Sequence, residues 1–440
     1  MSSRSKPVIL IVGFGMAAGR LLDEITDRAA DAFDIVVVGE EPQAAYNRIL
    51  LSPLLAGEVP AENLALHDSE WYEDNGIRVL TGDPVTKLNT DKKSATTVSG
   101  EKISWDYLVL ATGSRPGKLN LPGEDLKGVQ ALRSMNDAKQ LIDSLPNVNK
   151  AIVVGGGLLG LEAACALQAH NIETTVVHNA SWPMNRQLDS EAGERLIGAL
   201  QEKGVAFVAD AQCERYLEGD GGAVAGLALA DGQEFPCELV VEAVGVFPEI
   251  TLAKAAGIPC ERAIIVDNKL RSQVEGVFAI GECCQIEGEL FGLVAPIYQQ
   301  AKVLANVLAV YAETASESRR QVLLADCESY VTQALPTKLK VSGVHVFSAG
   351  QLAETSSTAS DSSDDNAPVS MAMRDDRGGY RRLWWQGNRL VGAVMFGDTE
   401  DSQCYVDMIA LQKKVTPQMQ LLLDPAGMEA ELAGQQEASA

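Results

Sequence analysis

The chain has 440 residues, of which 46% are hydrophobic and 22% charged. That composition builds packed cores and excludes disorder of the whole chain. With 36 basic and 60 acidic residues the net charge is −24. Such a chain has no general field for attracting DNA, RNA or an anionic membrane surface, so neither is expected as a partner.

At roughly 150 residues per domain, the length predicts about three domains. Eight cysteines, none in a Cys-x-x-Cys pair, are too few for a disulfide scaffold. They read as reduced thiols of a cytoplasmic protein. Basic Met1 to Lys6 followed by apolar Val8 to Ala18 imitates a signal peptide. The glycines inside that run point instead to a nucleotide-binding turn. The sequence contains no apolar stretch of about 18 residues, the length that would span a membrane.

In chain order, Pro7 to Val12 is a short apolar run ending in a glycine turn, and Met16 to Ala29 has a helical pattern after it. Phe33 to Val38 is a second apolar run. Short Val- and Ile-rich runs bounded by glycine predict buried parallel strands, so this is a strand–helix–strand unit. Tyr107 to Ala111 is another strand, ending at Thr112-Gly113. The unit then repeats: Ala151 to Val154, a glycine cluster, and a helix over Leu158 to His170. Leu239 to Ala243 and Val277 to Ile280 are further strands, ending at turns with Gly245 and Gly281. Glu354 to Ala367 is polar, Ser-rich and acidic, and reads as a mobile segment. Tyr380 to Phe396 alternates and predicts a β-hairpin turning near Gln386-Gly387-Asn388. From about Gly427 the chain is small and polar, as a frayed end would be.

The first glycine cluster is Gly13-Phe14-Gly15-Met16-Ala17-Ala18-Gly19. A dinucleotide fingerprint needs a tight turn, then close approach of the backbone to a pyrophosphate at a helix N-terminus. Glycine allows both without a Cβ clash. Ala18 stands at the third position, where a small residue lets helix and strand pack closely. Glu40 and Glu41 follow the second strand, where a carboxylate can accept hydrogen bonds from a ribose. The second cluster, Gly155-Gly156-Gly157-Leu158-Leu159-Gly160, has all three spaced glycines, with Glu162 just beyond. Its second strand ends at Val177, so His178 occupies the position of the usual ribose-binding acid. A neutral imidazole there could bond a ribose hydroxyl; a protonated one could tolerate a phosphate. NADH and NADPH both stay open. Two such units in one chain imply two dinucleotides, FAD at the first and NAD(P)H at the second, with hydride passing between them.

These motifs resemble the two-dinucleotide-binding flavoprotein oxidoreductases. Ala111-Thr112-Gly113-Ser114-Arg115-Pro116 is similar to the segment that closes the first FAD portion. Ala243-Val244-Gly245-Val246-Phe247-Pro248 is similar to the return from the NAD domain. Phe278-Ala279-Ile280-Gly281-Glu282 is similar to the strand meeting the ribityl chain, with Glu282 in place of the usual Asp. The segment from Glu40 through Tyr46-Asn47-Arg48 to Ser52, the second glycine cluster, Gln187-Leu188-Asp189, Gly281-Glu282-Cys283 and Phe291 to Pro296 more narrowly resemble the N-terminal flavin module of assimilatory NAD(P)H nitrite reductase large subunits. Gly392 to Thr399 resembles the C-terminal domain of rubredoxin reductases.

The resemblance implies FAD contacts at Gly13, Gly15, Glu40, Arg48, Thr112, Gly113 and Glu282, with Ala18, Gly19, Glu41, Arg115 and Gly281 in the same cofactor-binding segments. It implies NAD(P)H contacts at Gly155, Gly157, Gly160, Glu162 and Gly245, to which the position of His178 after the second strand adds a further candidate. Glu162 is the catalytic candidate, near the nicotinamide. Some relatives pair it with a lysine just after the Ser52 position, where this chain has Pro53. The expected fold class is α/β: two Rossmann-like domains, the FAD domain split by the inserted NAD domain, plus a smaller α+β C-terminal domain. Expected boundaries are 1–117 and 247–325 for FAD, 118–246 for NAD(P)H, 326–425 for the C-terminal domain with the mobile 354–367, and a tail at 426–440.

Full nitrite reductases also carry iron–sulfur and sirohaem domains, which need clustered cysteines. After residue 300 this sequence has only Cys327 and Cys404. The first FAD helix lacks the cysteine pair of disulfide reductases, and Cys283-Cys284 is the only close pair. Cys165 reads as packing. The four histidines His67, His170, His178 and His345 show no metal-ligand spacing, so no metal is expected. The electrons therefore need an outside acceptor. The expectation is an FAD-dependent NAD(P)H oxidoreductase that serves a separate redox protein, a nitrate or nitrite reductase subunit or a small iron protein. The alternatives are a rubredoxin or ferredoxin reductase of another pathway, and a low-turnover flavin- and NADH-binding redox sensor. Trp384 and Trp385 are candidates either for a docking surface or for packing of the C-terminal domain.

Overall fold

In the computed structural model the described residues are 6–412, apart from 30, 332–336, 342, 353–368 and 377. The expected mobile segment and terminal tail lie outside them. The chain divides into two compact units: Met1–Gly117, Arg133–Ala138 and Val246–Thr332 in one, Lys118–Leu132, Lys139–Gly245 and Gln333–Ala440 in the other.

The first unit is built on a parallel sheet ordered Val277–Ala279, Tyr107–Leu110, Val8–Val12, Asp34–Val38, Ile77–Leu80. Its central strand reads Val-Ile-Leu-Ile-Val because both faces are covered: Ile9, Leu10 and Ile11 are fully buried. Each such side chain contributes roughly 1.5–3 kcal/mol through lost contact with water. The helix Met16–Ala29 follows the first strand and packs on the long helix Val294–Glu313. Leu21, Leu22 and Ile25 face that core. Glu24 is buried on the same helix, held by Arg20 and Arg28 on either side.

The second unit repeats the plan. Its parallel sheet is ordered Val205–Val208, Glu173–Val177, Lys150–Val154, Leu239–Glu242, Val129–Ala131. The helix Leu158–Ala169 ends one residue short of the predicted span, with His170 as its C-cap. A second part of this unit is an antiparallel sheet ordered Thr337–Val341, Val344–Gly350, Arg389–Phe396, Tyr380–Gln386, Val369–Arg374. The predicted hairpin turns at Gly387-Asn388, where Gly387 takes φ +57°. The helix Ser402–Ala410 covers the sheet through Tyr405, Met408 and Ile409. Trp384 and Trp385 are each 1% exposed, so they pack the interior and form no docking surface. The α/β expectation holds, with parallel sheets and a separate C-terminal sheet. Among the described residues no helix is long and apolar enough to cross a membrane.

Candidate functional site

In the first unit the glycine turn sits at the exit of the central strand. Gly13 has φ +102°, and its N–H donates to the Val38 carbonyl at 2.9 Å. A Cβ on Gly13 would lie 2.1 Å from the Ala111 carbonyl oxygen, so the backbone admits only glycine there. Gly15 faces open space except for the Arg48 guanidinium. Gly19 instead packs against Leu66 and Ala45, and Ala18 is fully buried. The fingerprint thus divides into cradle (Gly13, Gly15) and helix packing (Ala18, Gly19). Around the cradle opens a cavity of about 400 Å³, within the range of small-molecule sites. Glu40, Glu41, Arg48, Thr112, Gly113, Arg115, Gly281 and Glu282 all line it.

The wall is a connected set of charges. Arg115 bridges Glu40 at 2.7 Å and Glu249 at 2.8 Å. Arg48 pairs with Glu41 and donates to the Arg133 carbonyl at 2.8 Å. Glu41 also accepts from the Tyr46 hydroxyl at 2.8 Å, and that hydroxyl accepts from the Met135 N–H. Burial pushes the Tyr46 phenol well above its ordinary value, so it stays neutral. Glu282 accepts from Ser114 Oγ at 2.6 Å and from Arg133. Thr112 donates its hydroxyl to the Glu249 carbonyl. Sequence reasoning missed Arg133, Ser134, Asp137 and Glu249. Arg133 arrives from a six-residue segment, Arg133–Ala138, that belongs to this unit although its chain neighbours do not. No local motif marks it.

In the second unit Gly155 has φ +117°, and a Cβ there would lie 2.3 Å from the Ala243 carbonyl oxygen. A Cβ on Gly160 would lie 2.0 Å from the Gly155 carbonyl oxygen. Gly157, the N-cap of the following helix, has nothing within 4 Å, and Gly245 is likewise open with φ +100°. The open side of the turn therefore carries bare backbone at the positive end of a helix, which suits a pyrophosphate. Glu162 sits half-buried within that helix.

His178 closes the turn from below. Its Nδ1 accepts from the Gly156 N–H at 3.1 Å, and Nε2 lies 3.4 Å from Asn185 Oδ1. Accepting at Nδ1 requires a neutral ring carrying its proton on Nε2. Burial also pushes the His178 pKa below its ordinary 6.5, against a smaller opposite pull from Asn185 and Asp210. Of the two roles open in the sequence, the neutral ring is the one the geometry supports. The lowered pKa means that holding the turn is unimpaired above pH 6.5 and weakens as acid protonates the ring. Dinucleotide affinity is expected to stay level above pH 6.5 and to fall at more acid pH. The fall should vanish in His178→Asn, measured by titration calorimetry at each pH; an unchanged slope in that variant would remove His178 as its cause.

Cys283 and Cys284 are fully buried free thiols bonded to main-chain carbonyls of Leu110, Ile280 and Gly281. Burial pushes both thiols up, which keeps them protonated and unreactive. A redox role for this pair has no support. Cys165 is buried in the helix Leu158–Ala169, as packing requires.

A family model described as pyridine nucleotide-disulphide oxidoreductase matches residues 7–306. The chain belongs to this family. A second model, the rubredoxin NAD+ reductase C-terminal domain, matches residues 336–413. The nitrite reductase [NAD(P)H] of Bacillus subtilis is 37% identical over 426 residues, covering 97% of this chain and 50% of that protein. The assimilatory nitrate reductase electron transfer subunit of the same organism is 34% identical, covering 96% of this chain and 51% of that protein. The chain thus spans about half the length of these curated relatives. In fold it is similar to the ferredoxin reductase for the CYP199A2 system from Rhodopseudomonas palustris, with TM-score 0.79 and 24% identity over 94% of this chain and 96% of that one.

Members of this family are oxidoreductases that use FAD and NAD(P)H, and the residues present fit both. Arg133 Nε is buried on the cavity wall without a hydrogen-bond partner among the described atoms, as a donor awaiting an anion would be. Gly15 and Gly113 leave the cradle open, and Gly157 and Gly245 do the same in the second unit.

Proposed function

We propose that this chain takes reducing equivalents from NAD(P)H and delivers them to a separate redox protein, a nitrate or nitrite reductase subunit of nitrate assimilation in the cytoplasm. The carrying observation is one chain with two glycine cradles, one opening into a charged cavity, whose close thiol pair is buried and inert. FAD supplies the exchange between a two-electron hydride donor and one-electron acceptors. In this reading Gly13, Gly15, Thr112, Gly113 and Gly281 line the FAD cradle. Arg48 and Arg133 offset its pyrophosphate charge, and Glu40 and Glu282 receive its hydroxyls. Glu41 holds Arg48 in place, and Arg115 sets the angle of Glu40. Gly155, Gly157, Gly160 and Gly245 shape the NAD(P)H turn, with Glu162 as the acid nearest the reacting ring. The similarity to an electron transfer subunit and to nitrite reductases supports the pathway.

A second reading, a rubredoxin or ferredoxin reductase, draws on the C-terminal match. The charge of −24 disfavours an acidic ferredoxin, because like charges slow encounter. Reconstitution separates the two. With NADH or NADPH as donor, a nitrate or nitrite reductase subunit is expected to be reduced faster than a small dye. If the flavin is reduced but rubredoxin or ferredoxin outpaces every such subunit, the pathway assignment falls. A protein showing no flavin spectrum after FAD addition would end the whole reading.

A further inference from the structure

Gln187-Leu188-Asp189 stands out in the sequence, and neither cradle uses it. The structure places it between the NAD(P)H turn and the C-terminal sheet. Asp189 is the N-cap of the helix Ser190–Glu202, accepting from the Ala192 N–H at 3.2 Å. Its other oxygen accepts from the Tyr380 hydroxyl at 2.5 Å and from Arg382 at 3.1 Å. Both donors lie on the strand Tyr380–Gln386 of the C-terminal sheet. Arg382 is itself fixed by two bonds to Ser370 Oγ, and Tyr380 is 2% exposed.

In the other direction the same segment holds the turn. The Gly156 carbonyl accepts from the Met184 N–H at 2.8 Å, while its N–H is taken by His178. Both polar backbone groups of the middle glycine are therefore tied to residues 178–184. Met184 adopts φ +52°, a conformation that a side-chain-bearing residue keeps only under outside restraint. The Met184 carbonyl accepts from the Gln187 and Leu188 N–H groups, and the Leu188 carbonyl from the Trp182 indole. Trp182 presses on Gly193, where a Cβ would lie 2.4 Å from its ring. Four residues thus separate a strained turn contact from an ion pair to another sheet, with the Met184 carbonyl bonded to Leu188, the chain neighbour of Asp189.

We propose that Asp189, clamped by Tyr380 and Arg382, is a positioning residue for NAD(P)H: the C-terminal sheet holds the nucleotide turn in its binding form through residues 184–189. This makes dinucleotide affinity depend on the C-terminal sheet as well as on the glycine turn. It rests on reading Gly155 to Gly160 as the NAD(P)H turn. A neighbouring pair, Glu191 with Arg374 at 2.5 Å, joins the same two surfaces, with Arg374 over the Tyr380 ring, but its two side chains bond each other rather than Asp189. That pair separates positioning from mere docking of the sheet.

The test uses the FAD-loaded full chain, with ADP-ribose as a redox-inert probe in calorimetry and NADH-driven dye reduction for kinetics. Tyr380→Phe combined with Arg382→Met is expected to raise the ADP-ribose Kd and the NADH KM at least fivefold. The kcat and FAD content should not change. Arg382→Lys, which keeps the charge, should stay within twofold of the unmodified protein. Glu191→Gln combined with Arg374→Met should also stay within twofold. Unchanged affinity in the first pair overturns the proposal, and so does equal weakening in the second. Should the double variant lose its flavin, the isosteric Tyr380→Phe alone decides by the same readout. A Gly160→Val control that still binds ADP-ribose would instead overturn the assignment of the turn itself.

Discussion

Gly13→Ala is expected to strip the protein of FAD and to lower its unfolding midpoint by roughly 5–10 °C. The new Cβ would lie 2.1 Å from the Ala111 carbonyl oxygen and 2.5 Å from its carbon. Both are backbone atoms at the end of the strand Tyr107–Leu110, which is paired on both sides within the sheet. They cannot swing away as a side-chain tip would. The φ of +102° adds strain that alanine tolerates poorly. Together these terms amount to about 3 kcal/mol or more. Gly157→Ala is the contrast, since nothing lies within 4 Å of a Cβ there and its φ is −80°. That variant should unfold within about 2 °C of the unmodified protein, because a change that meets no neighbour leaves stability nearly unaltered. Differential scanning calorimetry with the visible flavin spectrum reads both. Equal midpoints for the two variants would show that the steric argument is wrong.

Arg133→Met is the second large effect. Glu282 keeps only 15% of its side chain exposed, and Arg133 is its ion-pair partner. Removing the cation leaves a largely buried carboxylate with the Ser114 hydroxyl alone. The expected destabilisation is about 2–3 kcal/mol. The loss of the unpartnered Nε donor from the cavity wall should weaken FAD binding about tenfold to a hundredfold. Adding Glu282→Gln to Arg133→Met should recover part of the stability, because the amide needs no counter-charge. Denaturant unfolding of the two single variants and the double variant measures the coupling. Additive losses would mean that the pair is not coupled.

The strands and helices of both nucleotide units were legible in the chain because parallel strands buried on both faces write continuous apolar runs. Val8–Val12, Asp34–Val38 and Lys150–Val154 fall within one residue of their predicted bounds. The glycines were legible through the local turn that each fingerprint spacing marks, where Gly13 and Gly155 take φ +102° and +117°, whereas the carbonyls that exclude a Cβ there, of Ala111 and Ala243, come from distant strands. The hairpin over Tyr380 to Phe396 was marked by alternation and a glycine turn.

The partnerships were not legible. Nothing in the sequence joins Arg133 to Glu282, 149 positions apart, or Asp189 to Tyr380, 191 apart. Trp384 and Trp385 could have faced a partner or the interior, and their burial followed only from how the antiparallel sheet meets the helix Ser402–Ala410. His178 had two chemical roles until Gly156 was found donating to its Nδ1. Composition, net charge and the periodicity of each element are properties of nearby residues, so length, apolar patterning and glycine spacing carry them directly. Ion pairs, protonation states and the division of the chain into units depend on which distant segments share a surface. That is decided only when the whole chain excludes water from its cores.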